Sequence, residues 1–270
     1  MNISDLYPSG AEMPLDRLCE NGGFTAIFRS IACVGDSLSS GEFQLRNADG
    51  TNSYYDMYEY SWGQFLGRMT GSKVWNFSRG GMSAREYMEG WGEANDVFAH
   101  EKAAQCYIVA LGCNDIIQVA RGEIEFGSIA DVHEDPAENA PTFAGYFGKI
   151  LSAYHRISPY AKFFLVTMPV VGLEGEIRQW CEAQQKLMYE LAAFFPNTYV
   201  IDLRKYGPAY DDEFFKVFWL YGHMTPTGYY LTAKLIGSYI DWIIRQNPVD
   251  FKGVGLICSP VQERIGEIKE

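Results

Sequence analysis

Five short apolar runs divide the chain at intervals. They are Ile31–Val34, Lys73–Phe77, Cys106–Leu111, Phe163–Thr167 and Tyr199–Leu203. Each run is rich in β-branched and aromatic residues and is almost continuously apolar rather than alternating. That pattern is typical of strands buried on both faces, as in a parallel sheet. The sequence therefore predicts a sheet core built from these five runs.

Helical patterns lie between the apolar runs. Apolar residues recur three and four positions apart in Trp62–Met69, Phe143–Arg156 and Ile177–Phe194. A last helix is expected to begin after Thr225, which can cap it, with Pro226 in its first turn, and to end near Arg245. Strands that alternate with helices predict a doubly wound α/β sandwich. We expect a single domain over residues 1–270, with irregular extensions at 1–27 and 247–270.

Composition and charge narrow the possible functions. The chain has 270 residues, 47% of them hydrophobic and 21% charged, which fits one large globular domain. The net charge of −12 disfavours binding to phosphate backbones, so no nucleic-acid partner is expected. No apolar run reaches the length of about 18 residues that a membrane span needs. The first ten residues do not resemble a signal peptide, and the six scattered cysteines suit a reducing compartment. We therefore expect a cytoplasmic protein; its oligomeric state is not indicated.

Polar residues with catalytic chemistry follow the predicted strands. Ser37, Gly81 and Asn114 come directly after the first three strands, and His223 precedes the last helix. Ligands of open α/β sheets bind outside the carboxyl ends of the strands. A serine needs a base to become a nucleophile, and histidine is the usual base near neutral pH. The pattern predicts Ser37 as nucleophile and His223 as base, with an oxyanion hole from the main-chain N–H groups of Ser37 and Gly81 and the side-chain amide of Asn114.

Each of these segments alone is an ordinary turn sequence, but together they resemble a known family. The four blocks are Gly35-Asp36-Ser37-Leu38-Ser39, Gly81 with Asn76 before it, Gly112-Cys113-Asn114-Asp115, and Gly222-His223 followed by Thr225-Pro226 and Gly228-Tyr229. Over roughly residues 28–245 they resemble the SGNH hydrolases, also called the GDSL esterase/lipase superfamily. The resemblance implies a three-layer α/β/α sandwich of the flavodoxin-like SGNH type with a five-stranded parallel sheet. It also implies ester hydrolysis through an acyl-enzyme, without a metal ion or a cofactor.

One position departs from the family pattern. Members usually carry an aspartate three residues before the histidine, and here that residue is Leu220. We favour a Ser37–His223 dyad in which a main-chain carbonyl, such as that of Leu220, accepts the Nδ1–H of His223 and leaves Nε2 free as the base. The alternatives are a carboxylate from elsewhere in the chain or an inactive enzyme. The candidate acids are Asp202, Asp211, Asp212 and Glu213.

Aromatic residues near the predicted nucleophile and base bear on the substrate. Aromatic residues at 54, 55, 58, 60 and 62, and at 219 and 221, either line a sugar-binding cleft or pack a loop onto the core. With the habits of the family, they favour a short acyl group, such as acetyl, on a carbohydrate. A lysophospholipase or thioesterase is the alternative enzyme, but the sequence displays no long apolar groove for its acyl chain. A catalytically inactive binding protein on the same fold is the alternative from another class.

Overall fold

The computed structural model describes residue 7 and residues 10–170 and 176–268. Its strands, in chain order, are β1 (Ser30–Gly35), β2 (Glu42–Arg46), β3 (Asn52–Asp56), β4 (Lys73–Ser78), β5 (Cys106–Ala110), β6 (Lys162–Val166), β7 (Thr198–Ile201), β8 (Trp219–Leu220) and β9 (His223–Met224). Five of them form a parallel sheet in the order β4-β1-β5-β6-β7. The five predicted strands are thus confirmed, with bounds that differ by one or two residues.

Helices cover both faces of this sheet. In chain order they are α1 (Ser37–Ser40), α2 (Trp62–Thr70), α3 (Ala84–Glu86), α4 (Gly92–Ala94), α5 (Cys113–Ala120), α6 (Phe143–Ile157), α7 (Glu176–Phe194), α8 (Leu203–Tyr206), α9 (Asp212–Phe218) and α10 (Pro226–Gln246). Helices α2 and α10 pack on one face, and α6 and α7 pack on the other. The predicted three-layer α/β/α sandwich is therefore confirmed. None of the helices in the described part of the chain has the length and apolarity needed to cross a membrane.

Burial of β1 on both faces explains its continuous apolar sequence. Ala32 and Val34 point into the core beneath α6 and α7, whereas Ile31 and Cys33 point into the core beneath α2 and α10. All four side chains are at most 1% exposed. Alternate residues of a strand face opposite sides of a sheet, so a strand covered on both sides has no polar positions. Strand β4 lies on one side of β1 and the next strand of the sheet, β5, lies on the other, so the order of strands reverses at β1. In open α/β sheets, ligands bind at the carboxyl ends of the strands where the order reverses.

Helix α10 begins as its sequence predicts. Its first residue is Pro226, and the Thr225 hydroxyl accepts a hydrogen bond from the N–H of Gly228 at 3.2 Å. This capping bond satisfies a main-chain donor that the first turn leaves without a helical partner. It also fixes where the preceding segment ends, and that segment carries His223.

Two small antiparallel hairpins lie outside the central sheet and were not predicted. Strand β2 pairs with β3, placing Glu42 opposite Asp56, and β8 pairs with β9, placing Leu220 opposite His223. The turn between β2 and β3 contains Gly50 with φ +85°, a left-handed conformation that favours glycine. Strand β3 is mostly exposed and polar, so it lacks the apolar pattern by which a strand is recognised.

The described parts of the terminal extensions pack onto the sandwich. Arg245 of α10 donates to Glu12 at 2.7 Å and to Asp241 at 2.8 Å, which ties the N-terminal segment to this helix. Gln105, just before β5, donates to the main-chain oxygens of Val254 and Ile257, both 3.1 Å away. Residues 1–6, 8–9 and 269–270 of the predicted extensions lie outside the described residues, as do residues 171–175.

Candidate active site

Ser37 is the first residue of α1 and lies at the carboxyl end of β1. The side chain of Asp36 caps this one-turn helix by accepting a hydrogen bond from the N–H of Leu38 at 3.0 Å. The turn closes at Gly41, whose φ is +86° and whose N–H donates to the Ser37 carbonyl. Ser37 is partly exposed, and among the described residues it contributes only its carbonyl oxygen to hydrogen bonds. The hydroxyl is therefore presented at the sheet edge by a tight strand-to-helix turn.

The predicted oxyanion-hole residues Gly81 and Asn114 lie on segments that are hydrogen-bonded to each other. Gly81 has φ +73°, and a Cβ there would meet no atom within 4 Å, so glycine is required for conformation and not for space. The Asn114 amide donates to the main-chain oxygen of Met82 at 3.1 Å, and Asp115 accepts from the N–H of Ala84 at 2.8 Å. An amide has two donor hydrogens, so Asn114 retains one for a substrate oxygen.

His223 lies between two side chains of β2. Its Nε2 is 3.0 Å from Oε1 of Glu42, and its Nδ1 is 3.3 Å from Oε1 of Gln44. The His223 and Glu42 side chains are only 12% and 13% exposed. The ring of Tyr54, on β3, meets the imidazole edge to face, with centroids 5.9 Å apart. The β2–β3 hairpin thus surrounds the histidine.

Two glycines leave the room that these contacts need. Glu42 and Gln44 are two residues apart on β2, so both point to the same face of the hairpin. A Cβ on Gly80 would overlap the carboxylate of Glu42, and a Cβ on Gly222 would overlap the amide oxygen of Gln44. Gly80 precedes the proposed oxyanion residue and Gly222 precedes the histidine. The glycines next to Gly81 and His223 therefore leave space for the side chains of Glu42 and Gln44.

The partner that we expected for His223 is not the one that the structure shows. A main-chain oxygen was expected on Nδ1, but Nδ1 faces the side chain of Gln44. Nε2 was expected to be free, but it faces the carboxylate of Glu42. Leu220 pairs with His223 across the β8–β9 hairpin without accepting from its ring. The expectation failed because the β2–β3 hairpin, which was not predicted, lies over the ring.

Asp202, the first of the four candidate acids, is engaged elsewhere. Its carboxylate is fully buried and accepts hydrogen bonds within the end of the sheet and from α7. The donors are the side chains of Thr167, Gln185 and Tyr189 and the N–H of Lys205. Asp202 therefore caps α8 and holds the end of β7 and is not bonded to His223.

The other three candidate acids lie at the start of α9. Asp211 caps this helix by accepting from the N–H of Phe214 at 2.9 Å. Asp212 and Glu213 form its first turn, where negative charge is stabilised by the helix dipole. All three acids are exposed, and none is paired with His223 in the part of the chain that the structure describes.

Carboxylates surround the candidate site, and burial alters their protonation. Burial raises the pKa of Asp36 and of Asp115 to about 7 each, and the Asp36 charge adds to the rise at Asp115. Burial, followed by the charge of Asp56, raises the pKa of Glu42 above its usual range. Burial lowers the pKa of His223, and the charge of Asp56 opposes this. Within residues 10–170 and 176–268, these acids do not form a group that could hold a metal ion.

An apolar cavity of about 220 Å³ lies behind the Ser37 turn. Asp36 and Cys113, the neighbours of Ser37 and Asn114, are part of its wall. The apolar part of its wall includes Leu38 of α1, Ala110 and Leu111 at the end of β5, Val166 of β6, Phe215 of α9 and Trp219 of β8. The sequence did not reveal this cavity because its walls come from segments far apart along the chain.

The aromatic residues that follow Ser37 along the chain, and Tyr221 before His223, divide between the core and the surface. Trp62 is buried at 2% exposure, and the Tyr58 hydroxyl donates to the main-chain oxygen of Val74. By contrast, Tyr54, Tyr55 and Tyr221 are 55%, 46% and 58% exposed. Trp62 and Tyr58 therefore pack onto the core, whereas the other three tyrosines lie at the surface.

Comparison with known proteins identifies the family. Residues 31–236, more than half of the chain, match the model of the GDSL-like lipase/acylhydrolase family. The chain belongs to this family. The resemblance noted in its sequence is thereby confirmed, and with it the enzyme class, an ester hydrolase. No curated protein sequence matches this GDSL-like hydrolase significantly.

Several solved structures share the fold at low sequence identity. A family two carbohydrate esterase from Clostridium thermocellum, solved with cellohexaose, is 14% identical, with a TM-score of 0.55 over 86% of this chain and 66% of that one. The acetyl xylan esterase AlAXEase is 14% identical, with a TM-score of 0.50 over 78% and 99%. A Lactobacillus plantarum protein is 14% identical, with a TM-score of 0.57 over 79% and 97%. At this identity the similarity establishes the fold of the GDSL-like hydrolase and not its substrate.

Proposed function

We propose that the protein is a serine esterase in which Ser37 is the nucleophile and His223 the base. The observation that carries the proposal is a set of contacts that joins the first family block, which contains Ser37, to the last, which contains His223. The Tyr229 hydroxyl reaches the main-chain oxygens of Ser37, at 3.4 Å, and Glu42, at 2.6 Å. The side chain of Glu42 in turn contacts His223. These contacts support the proposal, because they connect the turn that carries Ser37 with the ring of His223 through Glu42 and Tyr229.

The reaction follows from the chemistry of these groups. Ser37 Oγ attacks the ester carbonyl as His223 takes its proton, and a tetrahedral oxyanion forms. The N–H groups of Ser37 and Gly81 and the amide of Asn114 are the donors proposed for that oxyanion. His223 then returns the proton to the leaving alcohol. Water releases the acyl group from Ser37 by the same route.

A short acyl group, such as acetyl, on a carbohydrate is the proposed substrate. Exposed tyrosines at 54, 55 and 221 support this, because aromatic faces with polar edges suit sugar rings. Tyr54 stands directly against the proposed base. Two of the similar structures are of a carbohydrate esterase and an acetyl xylan esterase, which supports the same substrate class.

A specific observation favours a second candidate, an esterase or thioesterase for longer acyl chains. The apolar cavity behind Ser37 measures about 220 Å³. An apolar cavity of about 150 Å³ holds one benzene molecule, so this one has room for roughly eight carbon atoms. An acyl chain that enters it would be removed from water, which stabilises binding by about 0.8 kcal/mol per methylene. A lysophospholipase is included in this candidate.

A panel of esters tests the proposal and separates the candidates. We expect acetyl esters, including acetylated xylo- and cello-oligosaccharides, to have a higher kcat/KM than octanoyl esters of the same alcohol. The reverse order would favour the second candidate.

Ser37→Ala should abolish turnover of every ester while leaving the circular dichroism spectrum unchanged. Near-normal activity in that variant would refute Ser37 as the nucleophile.

A further inference from the structure

We propose that Glu42 is the carboxylate that orients His223, in place of the aspartate that the family carries at the position of Leu220. The proposal rests on the proposed function, because it assigns a positioning role within that site. Glu42 comes from β2, only five residues after Ser37 and 181 residues before His223. It therefore reaches the ring from the nucleophile side of the molecule and not from the histidine loop.

The contact between Glu42 and His223 has the geometry of a charge-assisted hydrogen bond. Nε2 and Oε1 are 3.0 Å apart, and both side chains are nearly nine-tenths buried. Water therefore screens the interaction weakly. In the described residues, His223 is the only side chain within 4.0 Å of this carboxylate that can carry a positive charge. A buried carboxylate is stabilised when it has a partner that can become positive, and the imidazole is such a partner.

The main chain around Glu42 holds this carboxylate in place. The main-chain carbonyl of Glu42 accepts a hydrogen bond from the Tyr229 hydroxyl of α10. The carbonyl of Gly41, the residue before it, accepts from the N–H of Met57 at 3.0 Å. Gly80 leaves the space that the carboxylate fills. The position of Glu42 is thus fixed by α10, by the hairpin and by the segment after β4. A group fixed in this way can in turn fix the ring that it contacts.

Other ionisable groups near the ring do not take this role. Asp56, opposite Glu42 on β3, accepts from the Ser40 hydroxyl at 2.8 Å. Asp36 faces the N–H of Leu38, and the Tyr229 hydroxyl faces main-chain oxygens. These groups act on His223 only through space. Asp56 therefore provides a matched control, since it has the same charge in the same hairpin.

The hydrogen bond assigns different tasks to the two ring nitrogens. With Glu42 ionised, Nε2 carries the proton that it donates, and Nδ1 carries the lone pair. Nδ1 is then the atom that accepts the Ser37 proton. Its 3.3 Å contact with Oε1 of Gln44 is not a hydrogen bond in this tautomer, because both atoms are acceptors, so Gln44 does not hold the Nδ1 lone pair. The resulting imidazolium is stabilised by Glu42 until Nδ1 returns the proton to the leaving alcohol.

The test compares Glu42→Gln, Glu42→Asp and Asp56→Asn, with acetyl esters as substrate. We expect Glu42→Gln to lower kcat by about 10²–10⁴ with little change in KM, as for loss of a triad carboxylate. The kcat of Glu42→Asp should be at least tenfold higher than that of Glu42→Gln, because aspartate restores the negative charge. Asp56→Asn should keep kcat within about tenfold of the wild type. The acid limb of the pH–rate profile should move to lower pH in Glu42→Gln, because the imidazolium loses its partner.

A second readout does not depend on turnover. The chain has four histidines, so the titration of His223 can be followed by NMR in a Ser37→Ala background. Glu42→Gln should lower the His223 pKa by about one unit or more, and Asp56→Asn by less. An unchanged His223 pKa, or equal effects of the two variants, would overturn the role of Glu42. Normal activity in Ser37→Ala alone would instead refute the proposed function, and the His223 pKa would still decide the pairing.

Discussion

Asp115 provides a quantitative test of how burial affects the acids around this site. Its carboxyl is fully buried beside the proposed oxyanion residue Asn114. One oxygen accepts from the N–H of Ala84, and the other has no hydrogen-bond partner among the described residues. Burial, to which the Asp36 charge adds, raises the pKa from 3.8 to about 7. Asp115→Asn keeps the acceptor for Ala84 and removes the ionisation.

The sign and size of the effect follow from linkage. Between about pH 4 and pH 7 the folded protein holds a proton on Asp115 that the unfolded chain has lost, so wild-type stability falls as the pH rises. Each pKa unit corresponds to about 1.4 kcal/mol, so the rise to about 7 costs at most about 4 kcal/mol above pH 7. We therefore expect Asp115→Asn to match the wild type near pH 4. At pH 8 the free energy of unfolding of Asp115→Asn should exceed that of the wild type by up to about 4 kcal/mol.

Urea denaturation at pH 4, 5, 6, 7 and 8 measures this difference directly. Asp115→Ala is the control, because it also removes the charge but leaves the Ala84 N–H without its partner. A buried donor without a partner costs about 1–3 kcal/mol at every pH. The difference in free energy of unfolding between Asp115→Ala and the wild type should therefore change with pH as it does for Asp115→Asn, but from a lower value at pH 4. If Asp115→Asn is less stable than the wild type at pH 8, the carboxylate is ionised and stabilised in the fold. Burial would then not be the effect that decides the protonation of Asp115.

Three further predictions concern the reaction. Ser37→Ala should lose ester turnover and also labelling by a fluorophosphonate; labelling of the variant would place the nucleophile elsewhere. Asn114→Ala should lower kcat by about 10²–10³ with a preserved fold, the usual cost of one oxyanion donor; an unchanged kcat would remove Asn114 from the site. Leu220→Asp should restore at least tenfold of the activity lost in Glu42→Gln, because residue 220 lies opposite His223 in β8–β9; no recovery of kcat would show that position 220 cannot serve the ring.

The features that could be predicted from sequence are those with a local signal. The strands of the central sheet are continuous apolar runs, because each is covered on both faces. The start of α10 is marked by Thr225 and Pro226, whose capping and backbone preferences act within one turn. The positions of Ser37 and Asn114 follow from the strands before them, because a parallel sheet brings its carboxyl ends to one edge.

The environment of His223 could not be predicted in the same way. Glu42 and Gln44 reach the ring through a hairpin whose strands are short and mix polar with apolar residues; β2 is partly buried and β3 is mostly exposed. Nothing local distinguishes this hairpin from a polar loop, and no rule of spacing connects position 42 with position 223. The predicted acids lie close to the histidine along the chain or at the end of the last strand of the central sheet. Those acids instead cap α8 and α9 or lie in the first turn of α9.

The origin of the carboxylate changes which parts of the molecule must move together. An acid three residues before the histidine belongs to the histidine loop and moves with it. Glu42 instead follows the turn that carries Ser37, and the Tyr229 hydroxyl connects the main chain of Glu42 to that of Ser37. If Glu42 orients the ring, the alignment of base and nucleophile is set by one short segment, Ser37 to Glu42. The β8–β9 hairpin then has only to bring the imidazole within reach, so an apolar residue at position 220 is compatible with catalysis.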